Sequence, residues 1–125
     1  MERKKRILLV DDEPAFTRLM KLNIETNGGY EVQVENNGSR AVAAARAYRP
    51  DVIFLDVIMP DIDGGQVAAE LRADPKLKDT PVVFLTAVVS KNEVIERGDV
   101  IGGQMFLAKP VTVADVIRTI EKLAA

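Results

Sequence analysis

The chain contains no cysteine and no histidine, and these two absences exclude much of the chemistry that proteins perform. Without cysteine there are no disulfides, no thiol nucleophiles and no zinc-cysteine sites. Without an imidazole the chain lacks a Ser-His triad, a histidine metal ligand and a phosphohistidine. Any acid, base or metal chemistry must therefore rest on carboxylates, lysine, tyrosine and hydroxyls.

A charge imbalance and a long apolar run are also missing. Lysine and arginine together number 17 against 19 acids, and the net charge is −2. Bulk electrostatics therefore gives no reason to expect a nucleic acid or a membrane surface as a partner. The apolar run at residues 7–10 is too short for a signal peptide or a bilayer span. We expect a cytoplasmic protein that binds neither nucleic acid nor membrane directly.

The 125 residues, of which 47% are hydrophobic, are enough for one average domain. We predict a single domain over residues 1–125, with its core at about 5–123. No internal repeat, low-complexity segment or linker interrupts it. Since the sequence stops directly after the last predicted helix, we expect no effector domain in this chain.

Short apolar runs alternate with segments of helical spacing. Five runs predict strands: Ile7 to Val10, Val32 to Val34, Val52 to Leu55, Val82 to Leu85 and Met105 to Leu107. Strands that are joined by helices run parallel, with right-handed crossovers and helices on both faces. The pattern therefore predicts an α/β fold.

Several residues mark where the helices begin and end. Pro14 in the first turn and Gly28-Gly29 beyond the last turn delimit the first helix, whose apolar positions include Phe16, Leu19, Met20 and Ile24. Ser90 with Glu93, and more weakly Thr112 with Asp115, fit capping boxes of later helices.

Polar side chains follow four of the predicted strands at the point where each strand ends. Asp11-Asp12 follow the first strand, Asp56 the third, Thr86 the fourth and Lys109 the fifth. The carboxyl ends of parallel strands meet at one edge of a sheet, where ligands of open α/β folds bind. We therefore expect these side chains to lie close together, although each one taken alone is more often a cap, a strand residue or a surface lysine.

Three carboxylates in one place require compensation. Two of them about 4 Å apart repel by roughly 4 kcal/mol at an effective dielectric of about 20, so the cluster needs a cation or shifted pKa values. Oxygen ligands suit Mg²⁺. A lysine and a hydroxyl are groups that hold phosphoryl oxygens during transfer. The constellation predicts a magnesium-dependent phosphoryl-transfer site.

Four segments in this order and spacing carry a resemblance to a known family. They are Asp11-Asp12, then Asp56-Val57-Ile58-Met59-Pro60 with Asp63-Gly64, then Leu85-Thr86-Ala87, and last Phe106-Leu107-Ala108-Lys109-Pro110. Over essentially its whole length the chain resembles the response-regulator receiver domains of two-component signalling, including the single-domain chemotaxis regulator. The resemblance implies a doubly wound, five-stranded parallel sheet with helices on both faces, the flavodoxin-like (βα)5 fold.

The resemblance also implies a function. Asp56 is the expected acceptor of a phosphoryl group from a sensor histidine kinase or a phosphotransfer protein. The chain would assist both its own phosphorylation and its own dephosphorylation, the latter being slow, without being an enzyme. Asp12 and Asp56 would bind Mg²⁺ directly, together with the backbone carbonyl of Ile58, and Asp11 would assist mostly through water.

The remaining family positions bear on the phosphoryl group and the signal. The resemblance assigns Thr86 and Lys109 to the phosphoryl oxygens, and the small Ala87 would leave room for the donor. Phe106 falls at the position of an aromatic switch residue, although a strand phenylalanine is otherwise most often core. A cis peptide bond is expected at Lys109-Pro110. Apolar Ile58 and Val88 would flank the phosphoryl group and slow its hydrolysis.

Signal output is expected at the surface of the predicted fourth helix, fifth strand and fifth helix, which would bind a downstream protein target. Two departures from the family bear on this surface. Gly98-Asp99 lies inside the predicted fourth helix, and Gly102-Gly103-Gln104-Met105 stands where receivers commonly have Gly-Ala-Asp-Asp. The length of that helix, and with it the shape of the partner surface, therefore stays open. A homodimer is a further partner that the resemblance allows.

Other functions are less well supported by the residues. A haloacid-dehalogenase-type phosphatase needs a second aspartate two residues after the nucleophile, where this chain has Ile58. No G-x-G-x-x-G follows the first strand, so a dinucleotide site is unsupported. Two alternatives stay open: a receiver-like module that acts by docking or dimerisation without phosphorylation, and a receiver cut from a longer regulator with a C-terminal effector.

Overall fold

A computed structural model describes residues 3–87, 100–101 and 104–124 of the chain. The strands are β1 (Lys5–Val10), β2 (Tyr30–Glu35), β3 (Val52–Asp56), β4 (Val82–Thr86), β5 (Val100–Ile101) and β6 (Gln104–Ala108). The helices are α1 (Pro14–Thr26), α2 (Ala41–Tyr48), α3 (Gly64–Ala73) and α4 (Val113–Leu123), with a 3₁₀ helix at Gly38–Arg40. The predicted fifth strand is thus β6, and the predicted fifth helix is α4.

Some sequence predictions fall outside the described residues. These are the predicted fourth helix with its Gly98-Asp99 step, the capping box of Ser90 and Glu93, the position of Val88, and the pair Gly102-Gly103.

The sheet has the strand order β2-β1-β3-β4-β6-β5, and its first five members are parallel. This arrangement confirms the predicted doubly wound, five-stranded parallel sheet. The short strand β5 is an addition that the sequence did not predict, because two apolar residues are too few to signal a strand. It pairs antiparallel with the start of β6, Val100 opposite Met105 and Ile101 opposite Gln104.

Alternate residues of the strands face the two sides of the sheet, and each side carries its own core. In β1, Ile7 and Leu9 belong to the apolar cluster that includes residues of α1 and α4, whereas Leu8 and Val10 belong to the cluster that includes residues of α2 and α3. The central strand β3 is buried along its entire length. The continuous apolar runs seen in the sequence follow from this two-sided burial.

The helix ends that lie in the described ranges confirm the sequence signals. Pro14 is the first residue of α1, and Gly28 and Gly29 beyond its end adopt φ values of 80° and 87°, which favour glycine. At α4 the Thr112 side chain accepts a hydrogen bond from the N–H of Asp115 at 3.0 Å, and the Asp115 side chain accepts one from the N–H of Thr112 at 3.3 Å. This reciprocal pair is a complete capping box.

Apolar spacing was a less accurate guide to the buried face of α1. Met20 and Ile24 are buried as the pattern indicates, but Leu19, which belongs to the same pattern, is 60% exposed. Leu19 directly precedes Met20 in the sequence and therefore lies about 100° away from it around the helix axis. This side of α1 faces solvent.

The described helices are short. The longest, α1, has 13 residues, whereas a bilayer span needs about 20 apolar residues. Within the described part of the chain, no helix combines the length and apolar character that a membrane crossing requires.

Candidate functional site

Three acidic side chains come together where β1 and β3 end. Asp11 and Asp12 follow β1 directly, and Asp56 is the last residue of β3. Because these strands are adjacent and parallel, their carboxyl ends lie side by side. One carboxylate oxygen from each of the three residues lies within 4.8 Å of the others. The juxtaposition expected from the sequence is therefore present.

Two of these carboxylates are withdrawn from solvent. Asp11 is fully buried, and Asp56 is 6% exposed. Backbone N–H groups donate to both: Glu13 to Asp11 Oδ1 at 3.0 Å, and Ile58 to Asp56 Oδ1 at 3.4 Å. The charges of Asp11 and Asp56 are thus held close together at a site with little water to screen them.

The backbone at the end of β1 is fixed by a side-chain amide from the next loop. Asn36 donates through Nδ2 to the carbonyl of Asp11 at 2.8 Å and to the hydroxyl oxygen of Thr17 at 3.0 Å. The Thr17 hydroxyl in turn donates to the carbonyl of Pro14 at 3.2 Å. These bonds link the carboxylate cluster to the first turn of α1.

Lys109 supplies a positive charge to the cluster. Its Nζ lies 2.6 Å from Asp11 Oδ2, 3.4 Å from Glu13 Oε1 and 3.8 Å from Asp56 Oδ2. The backbone N–H of Lys109 donates to the carbonyl of Thr86 at 2.9 Å, and the peptide bond to Pro110 is cis, as expected. Lys109 therefore lies at the predicted edge, and its strongest partner is Asp11.

The site holds more negative than positive charge. Burial, followed by the charge of Asp11, raises the pKa of Asp56 to about 6, although the charge of Lys109 opposes the shift. Burial also raises the pKa of Asp11, against the hydrogen bond from Lys109. Burial lowers the pKa of Lys109, but its hydrogen bond with Asp11 and the charges of Asp11 and Asp56 outweigh this effect and raise it. The cluster therefore favours a further cation.

The donor set suits a hard divalent ion. Asp11, Asp12 and Asp56 offer only oxygen ligands, which Mg²⁺ prefers, and Mg²⁺ usually binds through one or two carboxylates plus water and phosphate oxygens. Burial, the largest cause of the raised pKa values of Asp11 and Asp56, disfavours their ionised forms, and a bound cation would oppose this effect. The residues fit the expected ion, whereas a metal role for the carbonyl of Ile58 stays a prediction.

The other predicted residues lie around this edge. Thr86 is the last residue of β4 and is 3% exposed. Its predecessor Leu85 is the register partner of Asp56, which places Thr86 beside the end of β3. Ala87 follows it on the exposed surface. Phe106 in β6 is half-buried, with its ring centroid 5.3 Å from that of Phe84.

The loop between β3 and α3 leaves no room for a side chain at Gly64. A Cβ there would lie 2.4 Å from the carbonyl oxygen of Asp56 and 2.8 Å from the Cα of Val57. The Gly64 N–H donates to the carbonyl of Val57 at 2.9 Å, and the side chain of Asp63 caps α3 at Gly65. The close turn fixes the backbone that carries Asp56.

Sequence reasoning missed Asn36, which is bonded to the carbonyl of Asp11, and two neighbours of Lys109. Glu13 contacts Lys109, and the ring of Phe16 lies 5.0 Å from the Lys109 ammonium. Both belong to the segment that turns from β1 into α1, directly after Asp11-Asp12. A helix that starts at the edge of a site presents its first turn to that site, and this was the available signal.

Comparison with known proteins agrees with the fold. Residues 7–121 match the family described as the response regulator receiver domain. The polar-differentiation response regulator DivK of Brucella anthropi is 34% identical over 119 residues, which cover 94% of this chain and 94% of DivK. The receiver domain of the Francisella response regulator 1452 superposes with a TM-score of 0.79 at 27% identity, and the match covers 97% of both chains.

Several other relatives are longer proteins. The DNA-binding dual master transcriptional regulator RpaA of Synechocystis is 36% identical over 118 residues, which cover 94% of this chain and 48% of RpaA. The chain spans about half the length of RpaA and of the next transcriptional regulators that it matches. The family match over 7–121, together with relatives such as DivK that align along nearly their whole length, shows that the chain belongs to the response regulator receiver domain family.

Proposed function

We propose that this receiver domain accepts a phosphoryl group on Asp56, in a Mg²⁺-dependent reaction with a sensor histidine kinase or a phosphotransfer protein as donor. The observation that carries the proposal is the position of Asp56. It lies at the end of the central strand, within 4.8 Å of carboxylate oxygens of Asp11 and Asp12 and 3.8 Å from the ammonium of Lys109. Receiver domains generally bind Mg²⁺ at such an acidic site.

The chemistry assigned to Asp56 is a nucleophilic displacement. An ionised oxygen of Asp56 attacks the phosphorus, the bond between phosphorus and the donor breaks, and an aspartyl phosphate and the free donor result. With a pKa of about 6, Asp56 is mostly ionised at neutral pH. Magnesium, held by Asp12, Asp56 and the carbonyl of Ile58 with help from Asp11, would supply the charge neutralisation that lets an anionic phosphoryl group approach.

The remaining residues would hold the transferred group. The ammonium of Lys109 is 3.8 Å from Asp56 Oδ2, so a movement of about 1 Å brings it to the distance of a charge-assisted hydrogen bond. The hydroxyl of Thr86 is at the neighbouring strand end, and exposed Ala87 adds no bulk beside it. These groups would bind phosphoryl oxygens without reacting themselves, so we class the chain as a phosphoacceptor and not as an enzyme.

We further propose that the phosphoryl group biases a two-state surface. The aspartyl phosphate would attract Thr86, the last residue of β4, and Lys109, which follows β6. The resulting strain would reach Phe106 on β6. The output surface would comprise the segment of the predicted fourth helix, together with β6 and α4, and would bind a downstream protein target in the cytoplasm. A homodimer is one form that this output can take.

A phosphate mimic separates this function from docking without phosphorylation. Beryllofluoride with Mg²⁺ is expected to raise the melting temperature of the wild type, because the mimic would bind at the carboxylate of Asp56, beside the ammonium of Lys109. A ligand that binds only the folded state at about 100 times its Kd adds about 2.7 kcal/mol, a shift of several degrees. Differential scanning fluorimetry measures this change.

The controls for the mimic are an Asp56→Asn variant and a wild-type sample without Mg²⁺, neither of which should respond. An equal shift in the Asp56→Asn variant would place the ligand elsewhere. No shift in the wild type would favour the docking module.

A further inference from the structure

The ring of Phe16 lies against the ammonium group of Lys109. The distance from Nζ to the ring centroid is 5.0 Å, inside the range of about 6 Å over which a cation is attracted to the face of an aromatic ring. Phe16 is half-buried and packs against the core cluster that α1 and α4 share. The ring is thus part of the packed structure and also borders the acidic site.

The position of this ring is fixed by the first turn of α1. Pro14 opens the helix, and the hydroxyl of Thr17, next to Phe16, donates to the carbonyl of Pro14 at 3.2 Å. Thr17 also accepts from Asn36, which is bonded to the carbonyl of Asp11. The helix turn that carries Phe16 is therefore tied to the same backbone that carries the carboxylates.

The Lys109 ammonium is attracted to carboxylates on two sides. Asp11 and Asp56 are buried on the inner side, whereas the Glu13 side chain, 3.4 Å away, is 65% exposed and lies toward solvent. Under the proposed function, a divalent cation takes up the charge of the inner carboxylates. Their attraction for Lys109 then weakens, while the attraction of the neutral ring is unchanged.

We infer that Phe16 is a positioning residue, whose ring keeps the ammonium of Lys109 inside the site when the carboxylates are engaged by a cation. This inference rests on the proposed function. Without the ring, Lys109 populates outward positions near Glu13 and water. A phosphoryl group requires the inward position, so its apparent affinity falls in proportion to the inward fraction.

The first test uses phosphate-mimic binding. We expect Phe16→Leu, which keeps an apolar side chain but removes the ring, to bind beryllofluoride with Mg²⁺ about 3- to 10-fold more weakly than the wild type. Phe16→Tyr keeps the ring and should bind like the wild type. Leu19→Ala, an exposed position on the same helix, is the matched control and should not change binding.

A merely structural role of Phe16 is distinguished by a double-mutant cycle. In a Lys109→Met background there is no ammonium for the ring to hold, so Phe16→Leu should cause no further loss of affinity. An equal loss in both backgrounds would overturn the inference. A site-specifically incorporated pentafluorophenylalanine at position 16, which keeps the shape and reverses the ring quadrupole, should weaken binding as Phe16→Leu does.

The second test needs no phosphate mimic. The side-chain NMR signals of Lys109 should show a ring-current shift in the wild type that is lost in Phe16→Leu, and the shift should persist when Mg²⁺ is added. Loss of the shift on adding Mg²⁺ to the wild type would overturn the inference. If the wild type shows the shift but binds no beryllofluoride, the proposed function fails while the contact stands.

Discussion

Replacement of Lys109 by methionine is expected to lower the unfolding free energy of the metal-free protein by about 3–5 kcal/mol at neutral pH, because it leaves a buried carboxylate without its counter-charge. Asp11 is fully buried, and its Oδ2 lies 2.6 Å from the Lys109 ammonium. After the substitution, Asp11 keeps the hydrogen bond from the N–H of Glu13 but faces Asp56 without Lys109. Methionine keeps the apolar stem, so the loss reports on the charge.

Urea unfolding in EDTA measures this effect. Lys122→Met, at an exposed position in the last turn of α4, is the matched control and should change stability by less than about 0.5 kcal/mol. The loss in Lys109→Met should shrink when Mg²⁺ is added, because the ion then neutralises the carboxylates. Equal stability of the two variants in EDTA would show that Lys109 does not compensate Asp11.

Replacement of Asp56 by asparagine is expected to raise the unfolding free energy of the metal-free protein, which is the opposite of the effect expected for Lys109→Met. In the absence of metal the folded protein raises the pKa of Asp56 from 3.8 to about 6, so it binds a proton more tightly than the unfolded chain does. The ionised carboxylate therefore destabilises the fold at neutral pH, and the penalty disappears as the pH falls from about 6 to about 4. A shift of two pKa units corresponds to roughly 3 kcal/mol. The unfolding free energy of the Asp56→Asn variant should therefore exceed that of the wild type by roughly 2–3 kcal/mol at pH 7.5.

The comparison must be made between variants at each pH, because other acids titrate in the same window. The pKa of Asp51, for example, is lowered in the folded protein: its hydrogen bonds with the Arg3 side chain and the Arg6 N–H outweigh an opposing effect of burial. The gain from Asp56→Asn should be largest at pH 7.5 in EDTA and small at pH 4.5. Asp79→Asn, at an exposed position, should show no such gain. A gain that is equal at both pH values would contradict the electrostatic explanation.

The fold and the position of the site were predictable from the sequence, because both follow from topology. Parallel strands place their carboxyl ends at one edge, so Asp11, Asp56, Thr86 and Lys109 had to meet once the strands were identified. The individual contacts were not predictable. Sequence spacing gives no distances, so the pairing of Lys109 with Asp11 and the approach of the Phe16 ring appear only in the folded chain.

The short strand β5 and the exposure of Leu19 could not be predicted from the sequence either. Strand β5 has only two residues, and its pairing with β6 is a tertiary contact that no local periodicity encodes. Leu19 matches helical spacing with Met20 and Ile24, yet it is 60% exposed. Periodicity identifies the helix with more certainty than it identifies the boundary of its buried face.

The most direct test of the central claim is incorporation of radioactive phosphate from labelled acetyl phosphate. Wild-type protein with Mg²⁺ should become labelled, with the mass and acid-base lability of an aspartyl phosphate at Asp56. Asp56→Asn protein, and wild type in EDTA, should incorporate less than about one hundredth as much label, because loss of the nucleophile or of its neutralising cation removes several kcal/mol of transition-state stabilisation. Labelling of Asp56→Asn at the wild-type rate, or labelling that is unaffected by EDTA, would contradict the assignment of Asp56 as a metal-dependent phosphoacceptor.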